Sequence, residues 1–337
     1  MNASCQAMVE LSSSIFLKIS LTYNLLIALI GIYVFSWASI KLWTSVYCLT
    51  FHTNLRMVCQ MHLSGFLLHC YGRVVLHSMD LYNYHFRQPC DMIPNVYRCF
   101  IFRLLYNTGM WITTCTAIPM IMESLAATIG RAKYEKWPIS FGIFLSVSQV
   151  LLAAVPLSLA YSNTKFDGVF MAYCSVYKLG FPEIAKINGY VSVGAQIVAR
   201  VVFGILFFLN KRYRDSLDGK TLSARFQIEQ NKSSMQCLKI YANLSTTFLF
   251  LQTGSFMYLL EAGLPQKDYL PWMEFNCQYP LYGIITVLLV ARKIKSMRQK
   301  VHDEMVNNSD LNFDDYHKGL QQLFNQDKSK IGMYAKF

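Results

Sequence analysis

Residues 19–40 read ISLTYNLLIALIGIYVFSWASI, a stretch without a single charge between Lys18 and Lys41. At 1.5 Å rise per residue such a helix is about 33 Å long, enough for the roughly 30 Å hydrocarbon core of a bilayer. Working outward from it, the same reading from one charge to the next gives six more stretches. They are 57–79, 99–122, 138–161, 187–210, 240–260 and 270–291. The second is the least apolar, because it carries His62, His69, Arg73 and His77. Pro119, Pro156 and Pro280 fall inside stretches, where they kink a membrane helix without breaking it, since neighbouring helices satisfy the freed carbonyls.

The composition agrees. Only 15% of the 337 residues are charged and 54% are hydrophobic, whereas a soluble chain carries about a quarter charged residues. Seven buried helices in a soluble protein would leave too little polar chain to wrap them. The fold class is therefore an all-α membrane protein, a seven-transmembrane helix bundle over 19–291, with an N-terminal segment 1–18 and a tail 292–337.

Lys and Arg set the orientation. With the N-terminus outside, the inner segments collect Lys41 and Arg56, then Arg131, Lys133 and Lys136, then a basic third loop over 211–239 that includes Arg225, then the cluster 292–300. The outer segments hold fewer than half as many, which places the N-terminus extracellular and the tail in the cytosol. The formal charge of +12 is thus a topology signal, and no nucleic acid partner is implied. Residues 1–14 lack a basic start, so the first span acts as an uncleaved signal. Asn2-Ala3-Ser4 is the one glycosylation sequon on the outer side that this topology makes usable.

There is no Cys-x-x-Cys pair to suggest zinc or a redox dithiol. Three cysteines, Cys90, Cys99 and Cys174, lie outside in an oxidising compartment, where one pair forms and one is left over. Cys99 with Cys174 is preferred, with Cys90 and Cys174 as the alternative. In the tail, Ile294, Met297, Val301 and Met305 recur every three or four residues among basic side chains, an amphipathic helix over 293–305 suited to the inner lipid surface. Leu222, Phe226, Glu229 and Ser233 keep a helical spacing that extends the sixth span into the cytosol.

Ionisable groups inside a bilayer are costly and so are suspect. These are His69, Arg73 and His77 in the second span, Arg103 in the third, Arg200 in the fifth and Glu261 at the top of the sixth. His69, Arg73, His77 and Asp80 recur every three or four residues and form one polar stripe that must turn away from lipid. It serves either as a ligand contact beneath an outer vestibule or as a hydrogen-bond network between helices, and the network is preferred. Aromatic residues near the third and seventh spans would suit an apolar pocket for a small organic ligand. No His-Glu-x-x-His, Gly-x-Ser-x-Gly or Walker pattern occurs, so neither an enzyme nor a cofactor is indicated. The two halves show no repeat of the kind transporters use.

Local motifs narrow the class. Phe51-His52-Thr53-Asn54, Leu68-His69-Cys70-Tyr71-Gly72-Arg73, Leu76-His77-Ser78-Met79-Asp80-Leu81, Pro89-Cys90-Asp91 and Arg98-Cys99-Phe100 occur in that order. Glu123-Ser124-Leu125-Ala126-Ala127-Thr128, then Tyr134-Glu135 and Leu222-Ser223-Ala224-Arg225-Phe226-Gln227 follow. Together they resemble the nematode serpentine chemoreceptors of class alpha/beta, Srab, over about residues 10–300. The resemblance implies a G-protein-coupled receptor in the plasma membrane of a sensory neuron or its cilium, detecting a small molecule outside and acting on a heterotrimeric G protein inside. A ligand-gated channel or transporter without such coupling is the alternative. It also implies a coupling face at Glu123, Ser124, Arg131, Lys133 and Arg225. Family members typically carry Glu-Arg where this chain has Glu123-Ser124. Serine neither restrains the acid nor reaches a transducer as arginine does. The receptor then couples weakly, couples through another inner contact such as Arg131 or Lys133, or is active without ligand. Ser124→Arg is expected to change G-protein activation, and an unchanged rate in that assay removes the serine from the account.

Overall fold

This computed structural model describes residues 3–45, 48, 51–91, 93–162, 164, 166, 173–174, 182–215 and 222–309. The chain divides into two units, Met1–Ala291 and Arg292–Phe337. Every long element is helical: α1 (Ala3–Ser13), α2 (Ile15–Thr44), α3 (Thr53–Phe86), α4 (Val96–Cys115), α5 (Ala117–Gly130), α6 (Ile139–Tyr161), α7 (Pro182–Asp215), α8 (Leu222–Glu261), α9 (Gln266–Asn276) and α10 (Tyr279–Ser309). Among the described residues, four stretches are long and apolar enough to cross a membrane: Ile15–Thr44, Val96–Gly130, Ile139–Tyr161 and Glu183–Tyr213. The remaining long helices are more polar for visible reasons. Helix α3 carries the histidines and Arg73, the Ile240–Leu260 part of α8 is rich in Ser, Thr, Asn and Gln, and α10 meets Arg292 after thirteen residues.

The first unit is apolar outside and partly polar inside. Helix α2 exposes Ile19, Leu26, Leu29, Ile30 and Tyr33 and buries Ser20, Asn24, Ala28 and Phe35; α7 exposes Val191, Val198, Val201 and Phe208 and buries Gln196. Water would penalise such contiguous apolar faces, and lipid does not. Two clusters form the interior. One joins Leu55, Val58, Met120, Leu145, Phe203 and Tyr241, and the other joins Phe35, Phe66, Leu249, Tyr279 and Tyr282.

Helix α1 was not expected in the polar N-terminal segment. Its Cys5, Met8, Leu11 and Ser12 are buried, at the spacing of one helix face, and Leu11 packs with Leu17, Leu21, Tyr173 and Leu270. The third stretch is interrupted at Thr116, between α4 and α5. Pro119 has no N–H for the Cys115 carbonyl four residues earlier. Side chains gather beside the break: Gln149 Nε2 donates to Ile112 O (3.1 Å) and to Thr116 Oγ1 (2.5 Å), and His62 Nδ1 lies 2.9 Å from Thr116 Oγ1. The seventh stretch is also broken, at Cys277–Gln278, and Pro280 stands in the first turn of α10. In the second unit α10 stays helical to Ser309, which includes residues 293–305; the side chains from 300 onward and the chain beyond 309 lie outside the described residues.

Helices α3 and α4 approach closely because glycine lines the contact. A Cβ at Gly109 would stand 2.5 Å from Gly65 O and closer still to the His69 backbone, and one at Gly72 would stand 2.8 Å from Tyr106 N. Nothing lies within 4 Å of such an atom at Gly194. Gly109→Ala is therefore expected to cost about 1–3 kcal/mol through overpacking, read as a lowered Tm of the detergent-purified protein, while Gly194→Ala leaves Tm unchanged or slightly raised.

Candidate functional site

Glu274 of α9 is 5% exposed, so an ionised carboxylate there needs partners. Arg103 of α4 supplies the first, with Nη2 2.5 Å from Glu274 Oε1. Tyr173 Oη donates to the same oxygen at 2.8 Å, and His77 Nε2 of α3 lies 4.0 Å from Oε2. Arg103 Nε donates to Cys174 O at 2.8 Å, so the guanidinium is fixed on two sides by charge-assisted bonds.

A second guanidinium lies beside the first. Arg73 Nη1 donates to Asn24 Oδ1 (2.8 Å) and Nη2 to Tyr106 Oη (3.3 Å), and Asn24 Nδ2 passes the chain on to the Glu274 carbonyl (2.8 Å). Both guanidiniums lie within cation–π range of the Tyr106 ring, at 5.2 and 5.4 Å. His69 Nδ1 pairs with Tyr106 O at 3.0 Å. Helices α2, α3, α4 and α9 are thus tied together through polar atoms.

Beside this network is a cavity of about 180 Å³ between α4, α6, α7, α8 and α9. Arg103 and Glu274 form one wall, and Met110, Trp111, Leu249 and Phe256 supply apolar surface. Asn107 Nδ2 donates to Tyr161 Oη at 2.7 Å, and Thr114 bonds to Tyr279, all four being lining residues. Two disulfides join the segments nearby. Cys99 in the first turn of α4 is bonded to Cys174, and Cys5 of α1 to Cys90, each with Cα atoms 4.9 Å apart.

A second acid is buried on α5. Glu123 is 2% exposed and Tyr134 is fully buried. Tyr134 Oη donates to Glu123 Oε1 at 2.7 Å, and Ser124 Oγ reaches Oε2 at 3.5 Å. The Tyr134 ring lies 4.3 Å from that of His52, at the start of α3, and 5.3 Å from that of Trp137. Around it, Asn210 Nδ2 donates to Thr128 Oγ1 and Asn231 Nδ2 to Ala127 O. The acid is held by a neutral phenol.

The description "serpentine type 7TM GPCR receptor class ab chemoreceptor" belongs to a family whose profile matches residues 2–325. This chain belongs to the Srab family. No curated protein sequence matches it. The Srab protein is accordingly a multi-pass membrane protein and a chemoreceptor of the G-protein-coupled type.

In this Srab receptor the polar stripe splits. His69, Arg73 and His77 are fully buried and Asp80 is half-buried, and none of the four lines the cavity. His69 and Arg73 bond across to α4 and α2, and His77 stands 4.0 Å from Glu274. Arg200 and Glu261 are exposed, and neither lines the cavity. Of the residues expected at a coupling face, Glu123 and Ser124 are buried and Lys133 is exposed. The side chains of Arg131 and Arg225 lie outside what is described, as does Asn2. Cys90 is neither the partner of Cys174 nor left over. It is bonded to Cys5, which the same topology places outside but which the choice among three outer cysteines omitted.

Sequence reasoning missed Glu274 as the partner of Arg103, although it is the one acid within 270–291 and the intramembrane arginines Arg73, Arg103 and Arg200 needed one. Tyr134 stands in the motif that follows Glu123–Thr128, but nothing in the sequence pairs it with Glu123, and Asn24 carried no signal because its partners lie far along the chain. Replacing one member of the Arg103–Glu274 pair leaves an uncompensated buried charge, expected to cost about 3–5 kcal/mol. The double variant Arg103→Met/Glu274→Leu is expected to cost less than either single change, as measured by Tm and by the yield of folded receptor.

Proposed function

We propose that this Srab receptor crosses the plasma membrane seven times, with α2, α3, α4–α5, α6, α7, α8 and α10 as the passes. The N-terminus is extracellular and 292–337 cytosolic, in a sensory neuron or its cilium. A small molecule from outside occupies the cavity, and a heterotrimeric G protein reads the opposite end at Glu123, Ser124, Lys133, Arg131 and Arg225. The distribution of Lys and Arg supports the orientation. So do the two disulfides, which belong in an oxidising compartment and sit at the end carrying α1 and the start of α4.

One observation carries the functional reading: the cavity and the buried acid share a single interrupted helix. Arg103, Asn107, Trp111 and Thr114 of α4 line the cavity, the break lies at Thr116, and Glu123 follows on α5. A ligand that favours one setting of α4 therefore biases α5 through the hinge, which is all that a shift between two pre-existing states requires. Gln149 and His62, bonded at the break, bring α6 and α3 into the same movement.

An epitope tag ahead of Met1 is expected to stain intact cells, and one after Phe337 only permeabilised cells; the reverse pattern overturns the orientation. Tyr134→Phe frees the Glu123 carboxylate of a bond to a charged group, worth about 1.5–3 kcal/mol. It is expected to raise ligand-free nucleotide exchange on the G protein several-fold, and an unchanged basal rate at equal surface density counts against the inner latch.

A further inference from the structure

We infer that Arg200 marks a docking face for another membrane protein, one that presents a transmembrane helix with a carboxylate at mid-depth; this rests on α7 crossing the bilayer, as proposed above, and not on the ligand or the G protein.

Three arginines stand within the apolar stretches, Arg73, Arg103 and Arg200, and two of them are met inside the bundle. Arg103 holds Glu274, and Arg73 donates to Asn24 and Tyr106. Arg200 is different. It is exposed on α7, in a segment whose Ile197, Val198, Val201 and Ile205 are exposed as well. It has no hydrogen bond or ion pair among the described residues.

Depth makes a guanidinium costly there. Arg200 lies thirteen residues from Ile187 and ten from Asn210, so along the helix axis it stands about 20 Å from one end of the stretch and about 15 Å from the other. An arginine close to a helix end escapes by reaching its head to the lipid headgroups. Here the side chain bridges neither distance, and its Cα–Cβ bond tilts toward the N-terminus of the helix, which is the farther end. A charge left in hydrocarbon in this way calls for a counter-charge at the same depth.

The chain itself does not supply one. Within the seven stretches or one residue beyond them its acids are Asp80, Glu123, Glu261 and Glu274. Glu123 and Glu274 are buried, each with its own partner, and Asp80 and Glu261 stand at the ends of their stretches. A second copy of the receptor therefore has no acid to offer at mid-depth, and the partner is a different chain. Close approach is open to it. A Cβ at Gly204, one turn beyond Arg200, would meet nothing within 4 Å, and the same holds at Gly194. Small residues let two membrane helices come near enough for polar side chains to pair, while the apolar neighbours pack against a partner as they would against lipid.

The test uses the full-length receptor in phosphatidylcholine vesicles, with energy transfer to a labelled poly-leucine transmembrane peptide as the readout. The peptide carries one central Glu or, as its neutral match, one central Gln. The Glu peptide is expected to associate about tenfold more tightly than the Gln peptide, and Arg200→Leu is expected to abolish the difference. The two peptides against the wild type stand alone if that variant is not recovered. Equal association of the two overturns the inference, and so does a Glu preference that survives Arg200→Leu. Loss of the preference on adding phosphatidylserine assigns Arg200 to a lipid headgroup, and Arg200-dependent energy transfer between two labelled receptors assigns the face to a second copy; either result overturns it. Arg200→Cys separates the docking face from the crossing beneath it. A membrane-impermeant maleimide present on both sides is expected to leave that cysteine unlabelled above the wild-type background. Labelling removes the crossing of α7 and the docking face with it, whereas protection without a Glu preference removes the docking face alone.

Discussion

Two guanidiniums stand inside a bundle whose outward faces are apolar, and everything near the α1 end depends on the carboxylate that meets them. Moving an ion out of water costs several kcal/mol even after relaxation, and only close, well-oriented partners offset it. Glu274 takes Arg103 and Tyr173 on its side chain and Asn24 on its backbone carbonyl. Through Asn24 it reaches Arg73, and through Arg103 it reaches Cys174. One acid thereby fixes α2, α3, α4, α9 and the segment at 173–174 to one another. The Cys99–Cys174 bond adds a covalent path between two of those elements. Few apolar contacts impose so specific an arrangement, because dispersion between aliphatic side chains has no direction and a bidentate guanidinium does.

The same economy of polar groups explains the breaks in the helices. In water an interrupted helix exposes its free carbonyls to solvent. In a lipid-facing bundle other side chains must take that place. Beside the break at Thr116, Gln149 Nε2 donates to the Ile112 carbonyl and to the Thr116 hydroxyl, which His62 also meets; beside Pro156, Asn188 Nδ2 donates to the Pro156 carbonyl at 3.2 Å. Buried polar residues of α3, α6 and α7 thus gather beside the prolines of α5 and α6.

Four apolar stretches were legible in the sequence because charge is excluded from them, although α2 runs past both Lys18 and Lys41, from Ile15 to Thr44. Residue 19–40 became α2, and 138–161 became α6, within a few positions. The inward turn of His69, Arg73 and His77 followed from their spacing alone. What spacing cannot give is the partner across the bundle. Asn24 and Glu274 are 250 positions apart and Arg103 and Glu274 are 171 apart, and helical periodicity names a face without naming the neighbour. Helix α1 escaped notice for a different reason. Its buried face is short and interrupted by Ser12, and its stability comes from the cluster with Leu17, Tyr173 and Leu270 and from Cys5. Likewise the resemblance marks Ser124 as a departure, but only the turn at 131–136, which brings Tyr134 back onto Glu123, shows which side chain meets that acid.

Both ends of the α4–α5 pair thus use a buried carboxylate, and the two are held unequally. Glu274 has a guanidinium, whereas Glu123 has a phenol and a long contact from a serine. A neutral donor holds a carboxylate less firmly than a charged one, so the inner end is the softer of the two. A ligand shifts an equilibrium only by its differential affinity for the two states. On the proposed reading, the contact that a ligand seated on α4 has to open at the inner end is one hydrogen bond from a neutral phenol to a buried acid.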